Sequence, residues 1–561
     1  MTDTLRGAAM PAARPSRIDS DRVAGLVLAA AVALPLLLFV LLPVASILKL
    51  SFVTPTGLGF GNYIRYFSGP KFATVLSNSL VVTAVATAIT IILAYGFAYA
   101  MQRTAMRGKR LFGLIALLPL FAPSLVQALG ILFLLGRNGV INRNFGLGID
   151  IYGFWGIVIA DVLYSFPHAY LILAAALAVA DARLYESAEM LGAGAWRQFR
   201  TVTMPATKYG VISASFVVFT IVITDFGNPM VIGADFNVLA TEIYNQVSGQ
   251  ANFGMGAVVG VVLLVPAALA VIVEKWVSRH SYAVISERSA PLVPRPNPLV
   301  DRLAMLYAAL VSLAIATIVG VVVVASFVTL WPYNMHLSLR HYRFEVQNGI
   351  EPLWTSILVS LAAALIGMVV TVIGACVVRQ LSPRIGRPLY FLSVLPAAIP
   401  GMVLGLGYIF AFNNPANPLH VIYGSLLILA ICNVYHYHAQ GFLIATTSVK
   451  QIARTFDEAS TVLGAGLLHT LFKVTLPIIW PSIVSIGVFF FVRSMVTLSA
   501  VIFLITPSTQ LAAVSVLMLD ESGNQNQAAA FSACIMAVVC LSLGAVQLLL
   551  RYTGGKGSVL R

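Results

Sequence analysis

Charge, cysteine and nucleotide-binding motifs are all scarce or missing in this sequence. Only 10% of its 561 residues are charged while 59% are apolar, and the mean hydropathy is +0.92. That excludes a water-soluble globule, which could not dress its surface from so few polar groups. The four cysteines, Cys376, Cys432, Cys534 and Cys540, sit in apolar stretches without CxxC or CxxH spacing, so they read as small helix-packing residues and supply no metal site. No G-x-x-x-x-G-K-[ST] occurs, and the GGKG near Gly554 lacks the spacing, so the chain has no phosphate cradle for ATP. Without HExxH or a nucleophile evidently paired with a base, an intramembrane enzyme is disfavoured. Arginine-rich runs with interleaved aromatics are missing too, so the formal charge of +14 is not a nucleic-acid footprint.

What fills the chain instead is a series of long apolar stretches, near 23–50, 74–102, 111–136, 153–180, 206–233 and 254–274, then 303–330, 352–378, 388–412, 420–447, 478–505 and 525–550. A helix needs roughly 20 mostly apolar residues to cross the hydrocarbon layer, so the expectation is an all-α polytopic membrane protein of about 12 spans. Lipid satisfies no backbone group, and the alternation of roughly ten-residue barrel strands is not seen. The first stretch follows a basic start (Arg6, Arg14, Arg17, Arg22) and exceeds a signal-peptide core of roughly 7–15 residues, so it reads as an uncleaved span. Lys and Arg recur between spans in clusters: Arg103, Arg107, Lys109 and Arg110; Lys275, Arg279, Arg288, Arg295 and Arg302; Arg379, Arg384 and Arg387. Because basic residues near span ends stay inside, both termini are expected in the cytoplasm.

The chain also repeats itself. LLPLFAPSLVQALGILF around Pro119 and Pro123 aligns with VLPAAIPGMVLGLGYIF around Pro396 and Pro400. The Pro-rich SERSAPLVPRPNPLVDR between the sixth and seventh stretches has the composition of an extended tether. The expected organisation is a tail (1–22), a first half (23–285), a linker (286–302), a second half (303–551) and a tail (552–561). With about six spans each, the halves enter from the same side and form a parallel repeat around a central path.

The most specific motif lies between the fourth and fifth spans of each half. ESAEMLGAGAWRQFRTVTMP carries Glu186, Ala188, Gly192 and Pro205, and EASTVLGAGLLHTLFKVTLP carries Glu458, Ala459, Gly464 and Pro477, with identical Glu–Gly–Pro spacing. Each copy predicts a short amphipathic helix, a reversal at glycine and a proline in the first turn of the next span. Here the sequence resembles the coupling loop of ABC importer permeases, which implies the type I importer permease fold. That resemblance implies a knob that docks on two copies of an ABC ATPase subunit, with ATP and Mg held by that ATPase and no cofactor or metal on this chain. It further implies a periplasmic solute-binding protein and the bacterial inner membrane, with lipid as the remaining partner. Ser187, Ser460 and Met204 depart from the family's Ala, Ala and Leu.

Further segments, VITDFGNPMVIGADFNVLATEIYNQV, FWPYNMHLSLRHY, LGLGYIFAFNNPANPL and SAVIFLITPSTQLAAVSVLMLD, look like fused permeases for 2-aminoethylphosphonate, within the group resembling ferric-iron permeases. The alternatives are ferric iron as cargo and, from another class, an ion-coupled secondary transporter. Asp225 in the fifth span and Arg493 in the eleventh are ionisable groups within lipid, which are expensive and face a cavity or a partner. With Asn228 and Thr497 beside them, they are the candidate substrate pathway or else a structural ion pair. His336, His341, Tyr342 and Glu345 are possible iron ligands on an external segment, although loop surface is the plainer reading. His436 and His438 face different directions on one helix and are poor joint ligands, and His168 beside Pro167 suits packing at a kink.

Overall fold

The computed structural model describes residues 17–179, 181–281, 292–344 and 349–552. Glu345, most of both tails and the start of the linker lie outside the described residues. The first span is α1 (Arg17–Leu36) and α2 (Leu42–Ser51), joined by a π turn at Leu37–Leu41. Pro43, which lacks the N–H of a regular helix, sits just after that turn, and the wider i→i+5 pattern absorbs the missing bond. Next come α3 (Pro70–Arg103), α4 (Leu125–Leu135), α5 (Phe154–Ala178) and a short α6 (Ala182–Met190). The half closes with α7 (Met204–Ile223), α8 (Gly227–Ile232) and α9 (Phe253–Ser281).

The second half repeats the plan with α10 (Pro298–Ser326), α11 (Glu351–Gln380), α12 (Pro383–Val394), α13 (Gly401–Phe412) and α14 (Leu426–Lys450). It ends with α15 (Arg454–Val462), α16 (Trp480–Met495), α17 (Ala512–Glu521) and α18 (Gln525–Tyr552). Ends match between halves: α5 maps onto α14, α6 onto α15, and the π turn Phe199–Thr203 onto Leu471–Thr475, all at one constant offset. Prolines open α3, α10 and α12 at positions where the missing N–H is an orphan anyway.

Each half's opening span packs against the other half. Phe39 stacks on Tyr435 at 5.4 Å, and Gly407 lies so near the first span that a Cβ there would sit 2.7 Å from the Pro43 carbonyl. Conversely, Tyr307 of α10 donates to the Leu93 carbonyl at 2.9 Å. Each opening span then ends in a two-stranded antiparallel hairpin, Val53–Thr54 with Gly57–Leu58 and Val328–Leu330 with Asn334–Leu337.

Several expected spans are interrupted. Among the described residues ten helices are long and apolar enough to cross a membrane, or up to 12 if two bent pairs each count as one. The expected 388–412 span bends by 107° between Ala398 and Gly401, at Pro400, and the expected 478–505 span bends by 77° at Ile479 and ends at Met495. Pro477 and Pro481 flank that second bend, and two missing N–H groups so close together break the ladder. The fifth span ends at Ile223, so Asp225 stands in the break before α8 rather than within a helix, and Thr497 lies just beyond the end of α16. The 303–330 stretch gives way to the hairpin after Ser326. Residues 292–297 of the linker are non-helical, but the helix begins at Pro298, earlier than the expected boundary at 302, because Asn297 caps the Leu299 and Val300 N–H groups.

Candidate functional site: paired coupling knobs and a central cavity

The two α6-type loops share one face of the bundle with the start of α1 and the linker. Asp21 Oδ1 accepts from the Leu467 N–H at 3.0 Å, Arg295 Nη1 donates to Glu189 Oε1 at 2.8 Å, and the Ala105 N–H donates to Asp301 Oδ1 at 2.8 Å. Asp181 caps α6 through the Arg183 N–H. At its other end the Gly192 N–H reaches the Glu189 carbonyl and the Ala193 N–H the Ala188 carbonyl, both at 2.9 Å, which is the Schellman pattern. It needs a left-handed residue, and Gly192 and Gly464 have φ of +72° and +70°. Pro205 and Pro477 fall at the start of helical turns that continue from the π turns before them.

Glu186, Glu458 and Ala459 are exposed, and Ala188 is partly buried. Two features of the knobs were not read from sequence. Each tip presents apolar residues to solvent: Met190 (88%), Leu191 (83%) and Trp196 in the first copy, Val462, Leu463 and Leu468 at the matching places in the second. The signal was present as an apolar pair directly before each glycine.

The second feature is an arginine clamp. From the end of α3, Arg103 Nη2 donates to the Leu177 carbonyl at 2.8 Å, with its guanidinium 4.9 Å over the Tyr185 ring. From the end of α11, Arg379 donates to the Val449 carbonyl and to Asp457 Oδ2 at 2.6 Å. Val449 and Asp457 are the repeat counterparts of Leu177 and Tyr185, so α6 and α15 are each tied to the second and fourth spans of their half, by a ring contact in the first and an ion pair in the second.

Between the halves lies a cavity of about 120 Å³, lined by Tyr164, Thr220, Thr224 and Asp225 on one side and by His436, Tyr437, Gln440, Arg493, Thr497 and Ser499 on the other. Asp225, Thr497 and Arg493 all line this cavity. Asn228 does not: it is fully buried, with its amide donating to Asp161 Oδ1 and its N–H to Asp225 Oδ2, each at 3.0 Å. Among the described residues no ion pair joins Asp225 to Arg493. Asp161, in α5, completes a buried cluster that the sequence reading passed over, although an acid inside an apolar run was itself the signal. His438 is buried between Tyr435 and Phe442 rings, away from the cavity that His436 lines. His341 is buried with Nε2 beside the Val328 and Thr329 carbonyls, and the Tyr342 hydroxyl bonds Ser326, so these two groups hold the Val328–Leu337 hairpin. Among the described residues no group of three His, Cys, Asp or Glu side chains is placed to hold a metal.

The family model for the binding-protein-dependent transport system inner membrane component matches residues 91–281 and 372–551, one half each. The chain belongs to that family. It is 28% identical over 517 residues to the ferric transport system permease protein FbpB of Actinobacillus pleuropneumoniae, covering 89% of this chain and 74% of the relative. It is 24% identical over 547 residues to the "Probable ABC transporter permease protein y4fN" of Sinorhizobium fredii, covering 94% and 96%. The molybdenum transport system permease protein ModB of Escherichia coli matches at 27% over 219 residues, 38% of this chain and 95% of ModB. A crystal structure of a bacterial alginate ABC transporter, in complex with its alginate pentasaccharide-bound periplasmic protein, aligns at TM-score 0.40 and 16% identity over 49% of this chain and 98% of that one.

Proposed function

We propose that this permease is the translocation subunit of an ATP-driven importer, with one ATPase docked on each of its two knobs. The observation that carries the reading is the pair of glycine-hinged elbows on one face, each presenting apolar residues, Met190 and Leu191 or Val462 and Leu463, at matching positions. In this scheme Glu186, Ala188, Gly192 and Pro205, with Glu458, Ala459, Gly464 and Pro477, shape the surface that meets the ATPase. The Arg103 and Arg379 clamps pass a displacement of the coupling helix to the second and fourth spans of each half. ATP and Mg stay on the ATPase, and a periplasmic binding protein delivers the solute at the opposite face. Co-purification of an ABC ATPase with the permease from its native membrane, together with ATP-dependent uptake in proteoliposomes, tests the scheme; uptake driven by an ion gradient without ATP would overturn it.

For the cargo, the relative named for ferric transport favours an iron(III) species. A second reading, 2-aminoethylphosphonate or a related phosphonate, rests on the four sequence segments similar to permeases of that class. Titrating the cognate binding protein with ferric complexes and with 2-aminoethylphosphonate separates the two.

A further inference from the structure

We propose that Arg493 is an oxyanion-binding station inside the permease, and this rests on the reading of the chain as an importer subunit. Arg493 lines the central cavity near the end of α16, in a span where a cation without a counter-charge is costly. Among the described residues it forms no ion pair. Its neighbours are the face of Tyr437, 4.8 Å from the guanidinium carbon, and the hydroxyl of Tyr164.

The one acid lining the cavity, Asp225, is already engaged. Its Oδ2 accepts from the Asn228 N–H at 3.0 Å, and the Gly227 N–H, the Ser124 hydroxyl and Asp161 supply further hydrogen-bonding neighbours. It therefore serves as the cap that starts α8. The duplication shows that the scaffold itself does not need a cation here, because the repeat counterpart of Arg493 is Ile221. An unneutralised planar fork in a pocket of hydroxyls and amides, Thr220, Thr224, Gln440 and Ser499, matches the bidentate geometry of a phosphonate or carboxylate. The cavity of about 120 Å³ is well above the roughly 10–15 Å³ that one water needs, which leaves room for a small oxyanion with some of its hydration.

A free phosphonate and the carboxylate shell of a chelated iron(III) present the same chemistry to Arg493. The test uses the full-length chain in lipid nanodiscs and follows the thermal midpoint against 2-aminoethylphosphonate, ferric citrate and sodium chloride at equal ionic strength. Saturable stabilisation by 2-aminoethylphosphonate alone assigns a free phosphonate, and by ferric citrate alone a chelated iron. Either is expected to fall at least about tenfold in apparent affinity in Arg493→Gln, and to weaken also in Arg493→Lys, which keeps the charge but loses the fork. Arg340→Gln, on the exposed external loop, should behave as wild type. If neither oxyanion exceeds chloride on the wild-type chain, or if the Arg493 variants respond as wild type, the assignment is overturned. Should Arg493→Gln not fold, unchanged affinity in Arg493→Lys overturns it equally. No ATPase takes part in this assay, so failure here leaves ATP-driven coupling standing, and failed ATPase docking would leave this site standing.

Discussion

Replacing Gly192 or Gly464 with valine isolates the hinge of a coupling knob from everything around it. Both glycines hold φ near +70° (+72° and +70°), a region that costs an L-residue roughly 1–2 kcal/mol. At Gly192 an added Cβ meets no heavy atom within 4 Å, so the penalty there is conformational with no steric part. A penalty of that size shifts a local equilibrium about 5–30-fold. The knob would still form, but the ATPase would have to pull it back into shape on docking. The expected result is an apparent ATPase affinity weaker by about that factor at the altered knob of each single variant. The permease should remain in the membrane at wild-type levels. Gly194 supplies the control: it sits in the same loop at an ordinary φ of −66° with open space around it, and serine is a favoured residue at such a helix start. Gly194→Ser should bind the ATPase as wild type does. Wild-type affinity in both valine variants, or an equal loss in Gly194→Ser, would refute the hinge argument.

Breaking the clamp by Arg379→Ala removes the guanidinium's bonds to Asp457 and the Val449 carbonyl, costing about 1.5–3 kcal/mol locally; ATP hydrolysis should continue while uptake falls, and Arg103→Ala should act in the same direction, both read as the ratio of transport to hydrolysis in proteoliposomes. Gly194→Cys in a cysteine-free background should be labelled by an impermeant reagent only from the cytoplasmic side, and labelling from the periplasm would reverse the orientation. Gly130→Ala would drive a Cβ into the Ile318 carbonyl, and overpacking of that kind costs about 1–3 kcal/mol. The thermal midpoint of the purified permease should fall, and an unchanged midpoint would contradict the close packing of α10 on the first half.

The duplication and the elbows were legible in the sequence because both are local. Glu186, Gly192 and Pro205 recur as Glu458, Gly464 and Pro477 at one spacing, and a glycine after a short helix is a strong cue for a left-handed turn. The interruptions were only half legible. Pro400 stands at one bend, and Pro477 and Pro481 stand around the other, but apolar composition continues across both, so a hydropathy reading runs the spans together. The exchange of opening spans could not be read, since nothing near Pro43 or Tyr307 names a partner hundreds of residues away. Arg103 and Arg379 looked like ordinary inside-positive charges, because their partners include backbone carbonyls that carry no sequence signal. At the cavity, the cost of ionisable groups in lipid drew attention to Asp225 and Arg493, and both line it. Asp225 is engaged by Asn228 and Asp161, while Arg493 lies against Tyr437.

If one ATPase sits on each knob, the number of ATPase chains per permease follows the number of intact knobs. Native mass spectrometry of the purified complex should show two ATPase chains for each wild-type permease. Leu191→Asp or Leu463→Asp, each placing a charge on an exposed apolar tip, should leave one, and the double variant none. Two ATPases retained on the double variant would contradict the account.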